Sequence, residues 1–184
     1  MEKSQQKIVG DLYDRLFPKV FAYVAFRIGR EQDAEDLVAE TFLRAAQGIA
    51  GFKRRQAGSL DAWLFRIAHN LVINYYRLHS WKSPIPLEDL ANIEGDAVSP
   101  DEAALRRERF THLRQLIGGL APRQQEVITL KFFGELRNLE IAKVLRIHEK
   151  TVAAYLCRAL DQMREAYASG AEEQPEPLGK EQAT

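Results

Sequence analysis

Apolar residues recur at steps of three or four along almost the whole chain, and this periodicity restricts the fold more than any other feature. Near the N-terminus the step is close to four, in a series made of Ile8, Leu12, Leu16, Val20, Val24 and Ile28. Such spacing places apolar side chains on one face of a helix, whereas a half-buried strand alternates at every second residue. Pro18 lies within the series and cannot donate a hydrogen bond to the preceding turn. We therefore expect an all-α fold that begins with two helices or with one kinked helix.

Two further helices are predicted before residue 83. Residues 31–47 carry one apolar stripe at helical spacing, and a glycine-rich basic loop follows at 48–59. Ser59 is a suitable N-cap for the next helix. The apolar face of that helix contains Trp63, Leu64, Ile67, Ala68, Leu71, Val72 and Tyr75. Helices of this kind bury their apolar faces against one another, so residues 1–82 are predicted to form one small helical domain.

The periodicity breaks at residues 83–98, which contain two prolines, a glycine and only acidic charges. This composition predicts a flexible acidic linker. The following Ser99-Pro100-Asp101-Glu102 is typical of a helix start, with Ser99 as N-cap and Glu102 completing a capping box. Residues 99–168 are then predicted to form a second small helical domain, and residues 169–184 a disordered tail.

The charges of the chain cancel, since 26 lysines and arginines balance 26 aspartates and glutamates. A protein that coats nucleic acid through bulk charge is therefore not expected. The charges are nevertheless segregated, with an acidic block at 31–44, a basic block at 52–82 and an acidic block at 83–105. Solvated helix faces and a spacer are the alternative explanation of these blocks.

Several classes of protein are not expected from this sequence. Apolar runs are too short for a spanning helix, and the polar N-terminus is unlike a signal peptide, so a cytoplasmic protein without membrane insertion is expected. The single cysteine, Cys157, cannot form an internal disulfide, and no Cys/His cluster has zinc-ligand spacing. Phosphate-binding glycine loops and nucleophile motifs are missing as well. We expect no enzyme activity, cofactor or metal.

Residues 138–160 are predicted to form two helices joined by a tight turn. A short helix, a turn and a longer helix fit a helix-turn-helix motif, whose second helix enters the major groove of DNA. An ordinary antiparallel helix hairpin fits the same pattern. The turn has Arg146 where glycine is usual, and a left-handed backbone is unfavourable for arginine. The side chains predicted to face inward are Leu139, Ile141, Ala142, Leu145, Val152, Leu156, Ala159, Leu160 and Met163.

Residues 138–164, NLEIAKVLRIHEKTVAAYLCRALDQMR, resemble region 4.2 of bacterial sigma factors, most clearly at Glu140-Ile141-Ala142 and Thr151-Val152. The segments 33-DAEDLVAETFLRA-45 and 62-AWLFRIAHNLVINYYR-77 are similar to region 2 of the same family. The order of the two regions and the short acidic linker between them resemble the extracytoplasmic-function (ECF, group IV) subgroup. Two motifs in the right order are more specific than either one alone.

The resemblance implies a transcription initiation factor that binds core RNA polymerase and directs it to promoters. The helix at 31–47 would dock on the clamp helices of the largest polymerase subunit. Its outward carboxylates suit a basic partner surface. Acidic residues in a first helical turn also favour the helix through its dipole, without any partner. The implied polymerase-binding residues are Asp33, Glu35, Asp36, Leu37, Glu40 and Phe42.

The resemblance also implies that the loop 52–59 and the helix 60–79 open and read the −10 element. A melted strand needs cations along its phosphates and a pocket for a flipped base. Asn70 is the first candidate for base contact, because an amide both donates and accepts hydrogen bonds. His69 is predicted to be an incidental surface residue. The implied −10 residues are Lys53, Arg54, Arg55, Arg66, Asn70, Asn74 and Arg77.

The second domain would bind the −35 element as a duplex. Many relatives carry a basic and a small polar residue where Ala153-Ala154 stand, and alanine offers only a methyl contact, for instance to thymine. Weak polar discrimination at −35 is therefore expected. The implied −35 residues are Arg123, Lys150, Thr151, Ala153, Ala154 and Arg158.

The implied partners are the polymerase core, promoter DNA and, as in many members of the subgroup, an anti-sigma factor that covers both domains. The acidic linker would thread towards the RNA exit path of the polymerase, or would act as a solvated spacer. Two other functions remain open at this stage. One is a polymerase-binding adaptor that reads −35 weakly, and the other is a stand-alone helix-turn-helix regulator of transcription.

Overall fold

The computed structural model describes residues 2–52, 59–79 and 99–172, and every regular element within them is helical. The predicted all-α class is thus confirmed. The predicted linker at 83–98 lies outside the described residues. The helices are α1 Glu2–Ile28, α2 Glu31–Gly48, a short 3-10 helix Ile49–Gly51, α3 Leu60–Leu78, α4 Pro100–Gly118, α5 Pro122–Phe132, α6 Asn138–Leu145 and α7 Glu149–Glu172.

The N-terminal helix α1 is continuous, with Pro18 inside it, so the alternative of two separate helices is wrong. Its apolar series is buried as predicted from Leu12 to Ile28, whereas Ile8 at its start is 38% exposed. Tyr23, between two of those positions, is also fully buried. This happens because α1 packs against α2 and α3 and also touches α5 of the second domain. Helix α1 therefore contributes to the packing of both domains.

The predicted helix starts are confirmed where the structure describes them. Ser59 Oγ accepts a hydrogen bond from the Ala62 N–H at 3.1 Å, and Ser99 Oγ accepts one from the Glu102 N–H at 3.3 Å.

The end of α7 differs from the prediction. The helix runs to Glu172, four residues into the segment 169–184 that composition predicts to be a disordered tail. Its remaining residues, 173–184, lie outside the described part of the chain.

The two domains pack against each other and share one apolar core. Phe26 of α1 stacks on Phe133, after α5, with ring centroids 4.2 Å apart, and meets Phe110 of α4 edge-on at 5.7 Å. Helix α3 lies against α6, and α1 lies against α5. Sequence periodicity indicated which faces are apolar, but gave no sign that the domains would bury them jointly.

Arg146, in the turn between α6 and α7, adopts the left-handed conformation with φ 56° and ψ 47°. Its N–H donates to the Ala142 carbonyl, and the Ile147 N–H donates to the same oxygen at 3.1 Å. The turn therefore has the geometry that usually takes glycine, although arginine occupies it. A β-carbon in this conformation is strained by about 1–2 kcal/mol.

Arg146→Gly is expected to raise the free energy of unfolding by about 0.5–1 kcal/mol. The substitution relieves the left-handed strain, and the greater freedom of glycine in the unfolded chain offsets part of that gain. Urea unfolding followed by circular dichroism would measure the change. Arg146→Ala, which keeps a β-carbon, should bring no such gain; equal stabilisation by both variants would contradict the strain argument.

Candidate nucleic-acid interface

The exposed edge of α3 carries three of the seven polar residues implied for −10 recognition. Asn70, Asn74 and Arg77 are exposed there, and Arg77 Nη1 lies 3.4 Å from Asn74 Oδ1. The opposite face is firmly held, because Leu64, Phe65, Ala68 and Val72 are completely buried. A rigid helix thus presents two amides and a guanidinium on one edge. Lys53, Arg54 and Arg55 lie outside the described residues.

Arg66 belongs to the same implied set, but the structure gives it a different environment. Its Nη2 donates to the backbone carbonyl of Lys143 in α6, and its Nε is buried without a hydrogen-bond partner. Burial and the nearby charge of Arg146 lower the pKa of the Arg66 guanidinium. Arg66 is therefore engaged by the second domain and is not open to DNA in this arrangement.

His69 is buried, so its prediction as an incidental surface residue is wrong. Its Nδ1 lies 3.2 Å from the Tyr23 hydroxyl of α1, and its Nε2 lies 4.0 Å from Glu126 Oε1 of α5. Periodicity did not reveal this, because the residue is polar and the helices that cover it come from distant parts of the chain. Burial lowers the pKa of His69, with Glu126 opposing and the charges of Arg27 and Arg123 adding to the effect.

Lowering the pH from about 7.5 to about 5.5 is expected to destabilise the packed chain through His69. Since the folded state lowers the pKa of His69, it binds fewer protons than the unfolded state, and stability falls as the pH drops through the ordinary histidine range. The groups that face the imidazole are Tyr23 and Arg27 from α1 and Glu126 and Arg123 from α5. Urea unfolding at both pH values should show a smaller difference for His69→Gln than for the natural chain. An equal difference would assign the effect to other groups.

The aromatic residues of α3 serve the core more than the surface. Trp63 is half-buried and tilted against Phe52, with ring centroids 5.3 Å apart. Tyr75 is 9% exposed, and its hydroxyl donates to Asp33 Oδ2 at 2.6 Å. Burial and this hydrogen bond raise the pKa of Tyr75 to about 12. The Tyr75 ring is therefore engaged in the core, and one side of Trp63 packs on Phe52.

The acidic face of α2 is narrower than the sequence suggests. Glu35 and Asp36 are exposed and Leu37 is half-buried beside them, whereas Asp33 is bonded to Tyr75 and Glu40 accepts from Arg44 Nε at 2.6 Å. Phe42, which belongs to the implied polymerase-binding set, is buried and does not face outward. The ring of Tyr13 covers it, with centroids 4.8 Å apart. The carboxylates available to a partner are chiefly Glu35 and Asp36.

The helix pair α6–α7 has the geometry of a helix-turn-helix. Val152, Leu156 and Ala159 of α7 are buried as predicted, and Ile147 closes the turn. Leu139 and Leu160 are 54% and 40% exposed, so their predicted inward positions are wrong. Leu160 follows the buried Ala159 by one residue, which rotates its side chain about 100° away around the helix.

The outer face of α7 is open. Its exposed residues include Lys150, Ala153, Ala154, Cys157 and Arg158, and Thr151 is half-buried. Within the described ranges, no acidic side chain pairs with Lys150 or Arg158. Arg123, exposed at the start of α5, is paired with Glu126 through Nη1 and Oε2 at 2.9 Å. Lys150, Arg158 and the methyl groups of Ala153 and Ala154 thus lie together on the exposed outer face of this helix.

Sequence reasoning missed one group of polar residues, which joins the two domains. Ser59 Oγ donates to Glu140 Oε1 at 2.7 Å, and Glu140 Oε2 accepts from the Arg137 N–H at 2.9 Å. Burial alone would raise the pKa of Glu140, but these hydrogen bonds and Arg137 lower it overall. The start of α3 was recognisable from Ser59, but nothing in the sequence indicated its partner 81 residues away.

Comparison with known proteins identifies the family. The Sigma-70 region 2 family matches residues 12–82, and the Sigma-70, region 4 family matches residues 111–163. The ECF RNA polymerase sigma factor SigW of Bacillus subtilis is 30% identical over 174 residues, which cover 89% of this chain and 91% of SigW. This chain belongs to the ECF sigma factors. The resemblance found in the sequence is thereby confirmed.

A second curated relative and two solved structures are also similar to this chain. The ECF RNA polymerase sigma factor BldN of Streptomyces coelicolor is 32% identical over 151 residues, or 82% of this chain and 57% of BldN, so this sigma factor spans little more than half of BldN. The structure of CnrH in complex with the cytosolic domain of CnrY matches with a TM-score of 0.65 and 25% identity, over 89% of this chain and 90% of CnrH. The sigma factor RpoE of Bartonella quintana, solved with the anti-sigma factor NepR, has the same fold, with a TM-score of 0.67 and 18% identity over 88% of this chain and 98% of RpoE.

None of the helices in the described ranges is long and apolar enough to cross a membrane.

Proposed function

We propose that this ECF sigma factor binds core RNA polymerase and directs it to promoters, with α3 opening and reading the −10 element and α7 reading the −35 duplex. The observation that carries the proposal is the pair of exposed polar helix edges, one in each domain, each fixed by a buried apolar face. On α3 the edge consists of Asn70, Asn74 and Arg77, and on α7 of Lys150 and Arg158.

The −10 role follows from the chemistry of α3. An extruded base is recognised through hydrogen bonds to its Watson–Crick edge, and an amide offers both a donor and an acceptor for them. Asn70 and Asn74 lie one helical turn apart on a helix whose buried face holds it in place. Arg77, at the end of the same edge, suits a backbone phosphate. Lys53, Arg54 and Arg55 would extend the track of cations before Ser59.

The −35 role follows from the open face of α7. Arginine and lysine contact guanine or phosphate, whereas the exposed methyl groups of Ala153 and Ala154 contact the methyl group of thymine. Thr151 adds a hydroxyl for phosphate. Arg123, already paired with Glu126, is a weaker candidate than the sequence alone suggested. We therefore expect this helix to prefer A·T-rich positions and to leave more of the sequence discrimination to α3.

Two protein partners follow from the proposal. The first partner is the polymerase core. The exposed carboxylates of Glu35 and Asp36, with Leu37 beside them, suit a basic surface with an apolar centre, which we propose to be the clamp helices of the largest polymerase subunit. An anti-sigma factor is the second partner, by analogy with RpoE, which was solved with NepR.

The test is transcription by core polymerase of the source bacterium on its fragmented genomic DNA, with and without this sigma factor. Sequencing the transcripts should reveal start sites that appear only with the added chain and share upstream motifs near −10 and −35. Binding to core polymerase without new start sites would instead favour an adaptor. Sequence-specific DNA binding that ignores polymerase would favour a stand-alone regulator.

A further inference from the structure

A helix that reads bases must be fixed in its rotation about its own axis as well as in its position. The tips of its side chains lie about 5–6 Å from the axis, so a rotation of about 20° moves them by about 2 Å. A hydrogen bond to a base does not survive such a shift, because donor and acceptor must lie about 3 Å apart. The buried apolar stripe of α3 holds the helix in the core, but apolar contacts have no preferred direction. Polar contacts are therefore needed to set the rotation.

One such contact joins α3 to the first turn of α2. The Tyr75 ring is buried in the core, and its hydroxyl donates to Asp33 Oδ2 at 2.6 Å. Burial and this hydrogen bond raise the pKa of Tyr75 to about 12, so the hydroxyl keeps its proton and remains a donor at neutral pH. Arg30 Nη1 lies 3.5 Å from the same carboxylate oxygen. The Asp33 carboxylate is thus occupied by partners from its own chain.

The next residue of α3 binds the end of α1. The Tyr76 hydroxyl donates to the backbone carbonyl of Arg27, and the Arg27 guanidinium lies over the Tyr76 ring, 5.4 Å from its centroid. That carbonyl belongs to the last turn of α1, which ends at Ile28, and the last carbonyls of a helix have no N–H partner within it. Two consecutive tyrosines therefore bind α3 to both sides of the corner between α1 and α2.

These contacts lie beside the residues proposed to read −10. Asn74 directly precedes Tyr75, and Asn70 lies one turn further back along the same exposed edge, here called the amide edge. Because neighbouring residues of one helix turn together, the direction of the Tyr75 hydroxyl also determines the direction of both amides. The bond from Tyr75 to α2 thus sets where the amide edge points.

We propose that Asp33 and Tyr75 are positioning residues for −10 reading, whose hydrogen bond fixes the rotation of α3 on α2 so that the amide edge meets DNA when α2 is docked on polymerase. The inference rests on the proposed docking through α2 and the proposed reading of −10 by α3. It gives Asp33, which belongs to the implied polymerase-binding set, a role inside the sigma factor. Glu35 and Asp36 remain the exposed carboxylates for docking.

Tyr75→Phe removes the hydroxyl and keeps the ring in the core. On core polymerase and a promoter, the reactivity of unpaired −10 thymines towards permanganate should fall about fivefold, with core binding unchanged. Tyr13→Phe is the matched control, because Tyr13 is 44% exposed on α1 and its hydroxyl makes no hydrogen bond among the described residues. This control should leave both melting and core binding unchanged.

Two substitutions of Asp33 separate hydrogen bonding from charge. Asp33→Ala removes the acceptor and should lower melting about fivefold, as Tyr75→Phe does. Asp33→Asn keeps an amide oxygen that accepts from the Tyr75 hydroxyl, so melting should return to within about twofold of the natural chain. Asp33→Ala combined with Tyr75→Phe should cost no more than either substitution alone, because both remove the same contact.

Asp36→Asn shows the effect of losing a docking carboxylate. Its exposed charge should make a direct contribution, so core binding should weaken about threefold. Displacement of the fluorescently labelled natural chain from core polymerase measures this binding. Melting is measured with saturating sigma factor, so that weak docking does not imitate poor reading. Circular dichroism verifies the fold of each variant.

Full melting by Tyr75→Phe would overturn the positioning role. So would equal losses of melting from Asp33→Asn and Asp33→Ala, or a loss of core binding above about twofold for Asp33→Asn, which would assign its charge to polymerase. Equal losses of melting and core binding in Tyr75→Phe would mean that the hydroxyl only stabilises the domain. A natural chain that binds core polymerase but melts no promoter overturns the proposed function together with this inference. Melting by the natural chain that Tyr75→Phe does not change overturns the positioning role alone.

Discussion

Phe65→Ala is expected to lower the free energy of unfolding by about 3–5 kcal/mol. Phe65 is 0% exposed and meets Tyr23 edge-on, with ring centroids 5.8 Å apart. Its ring also lies so close to Gly134 that a β-carbon on that glycine would overlap it. Removing the ring therefore leaves a cavity where the first domain meets the loop before α6.

Leu43→Ala is the matched control for Phe65→Ala. Leu43 is 53% exposed on α2, so its truncation should change the free energy of unfolding by no more than about 0.5 kcal/mol. Urea unfolding followed by circular dichroism measures both variants. A loss below about 1 kcal/mol for Phe65→Ala would mean that the neighbouring helices collapse into the space. It would contradict the apolar core that the two domains share.

Arg158→Ala is expected to weaken binding of the polymerase holoenzyme to its −35 duplex by about 1–3 kcal/mol if the guanidinium reads a base. Arg158 is exposed on the outer face of α7, and no carboxylate of the described residues competes for it. With Ala153 and Ala154 as neighbours on that face, it supplies much of the hydrogen bonding that the helix can offer. Its loss should also relax sequence preference at one base pair.

Arg164→Ala provides the control for charge, because Arg164 lies on the same helix but is paired with Asp161 at 3.0 Å. Fluorescence anisotropy on matched and mismatched −35 duplexes, at several salt concentrations, separates the roles. A uniform loss across sequences, with a salt slope reduced by about one, would assign Arg158 to phosphate instead. Equal losses from Arg158→Ala and Arg164→Ala would contradict a specific role for α7.

The elements of this fold could be predicted because their signals are local. Ser59 and Ser99 accept the N–H three residues onward, as their positions before apolar helices suggest. The apolar series of α1 is buried throughout its middle and end, because helical spacing alone determines which side chains share a face.

The errors concern contacts between distant segments. His69 is buried because α1 and α5 cover it, and Phe42 is buried because Tyr13 and Phe17 lie over it. The spacing of apolar residues shows which face of a helix is apolar. It does not show which element packs on that face, nor how many neighbouring side chains become buried. For the same reason the sequence placed Arg66 on a DNA-reading edge, whereas in the structure Lys143 of the other domain accepts its hydrogen bond.

Arg146 is a different kind of case. The missing glycine in the turn suggested an ordinary backbone for arginine, yet the residue is left-handed. The turn keeps this geometry because Ile147 packs into the core and Val152 anchors the next helix, so tertiary contacts override the local preference.

The central claim is that this sigma factor melts promoters through α3, and permanganate footprinting tests it most directly. Core polymerase would be mixed with the chain on a promoter identified by genomic transcription, and unpaired thymines near −10 would be detected by their reactivity. We predict reactive thymines only when the chain and core polymerase are both present, and a loss of about tenfold with Asn70→Ala while core binding is unchanged. Thymines that stay unreactive despite full core binding, or that react equally with Asn70→Ala, would contradict the account.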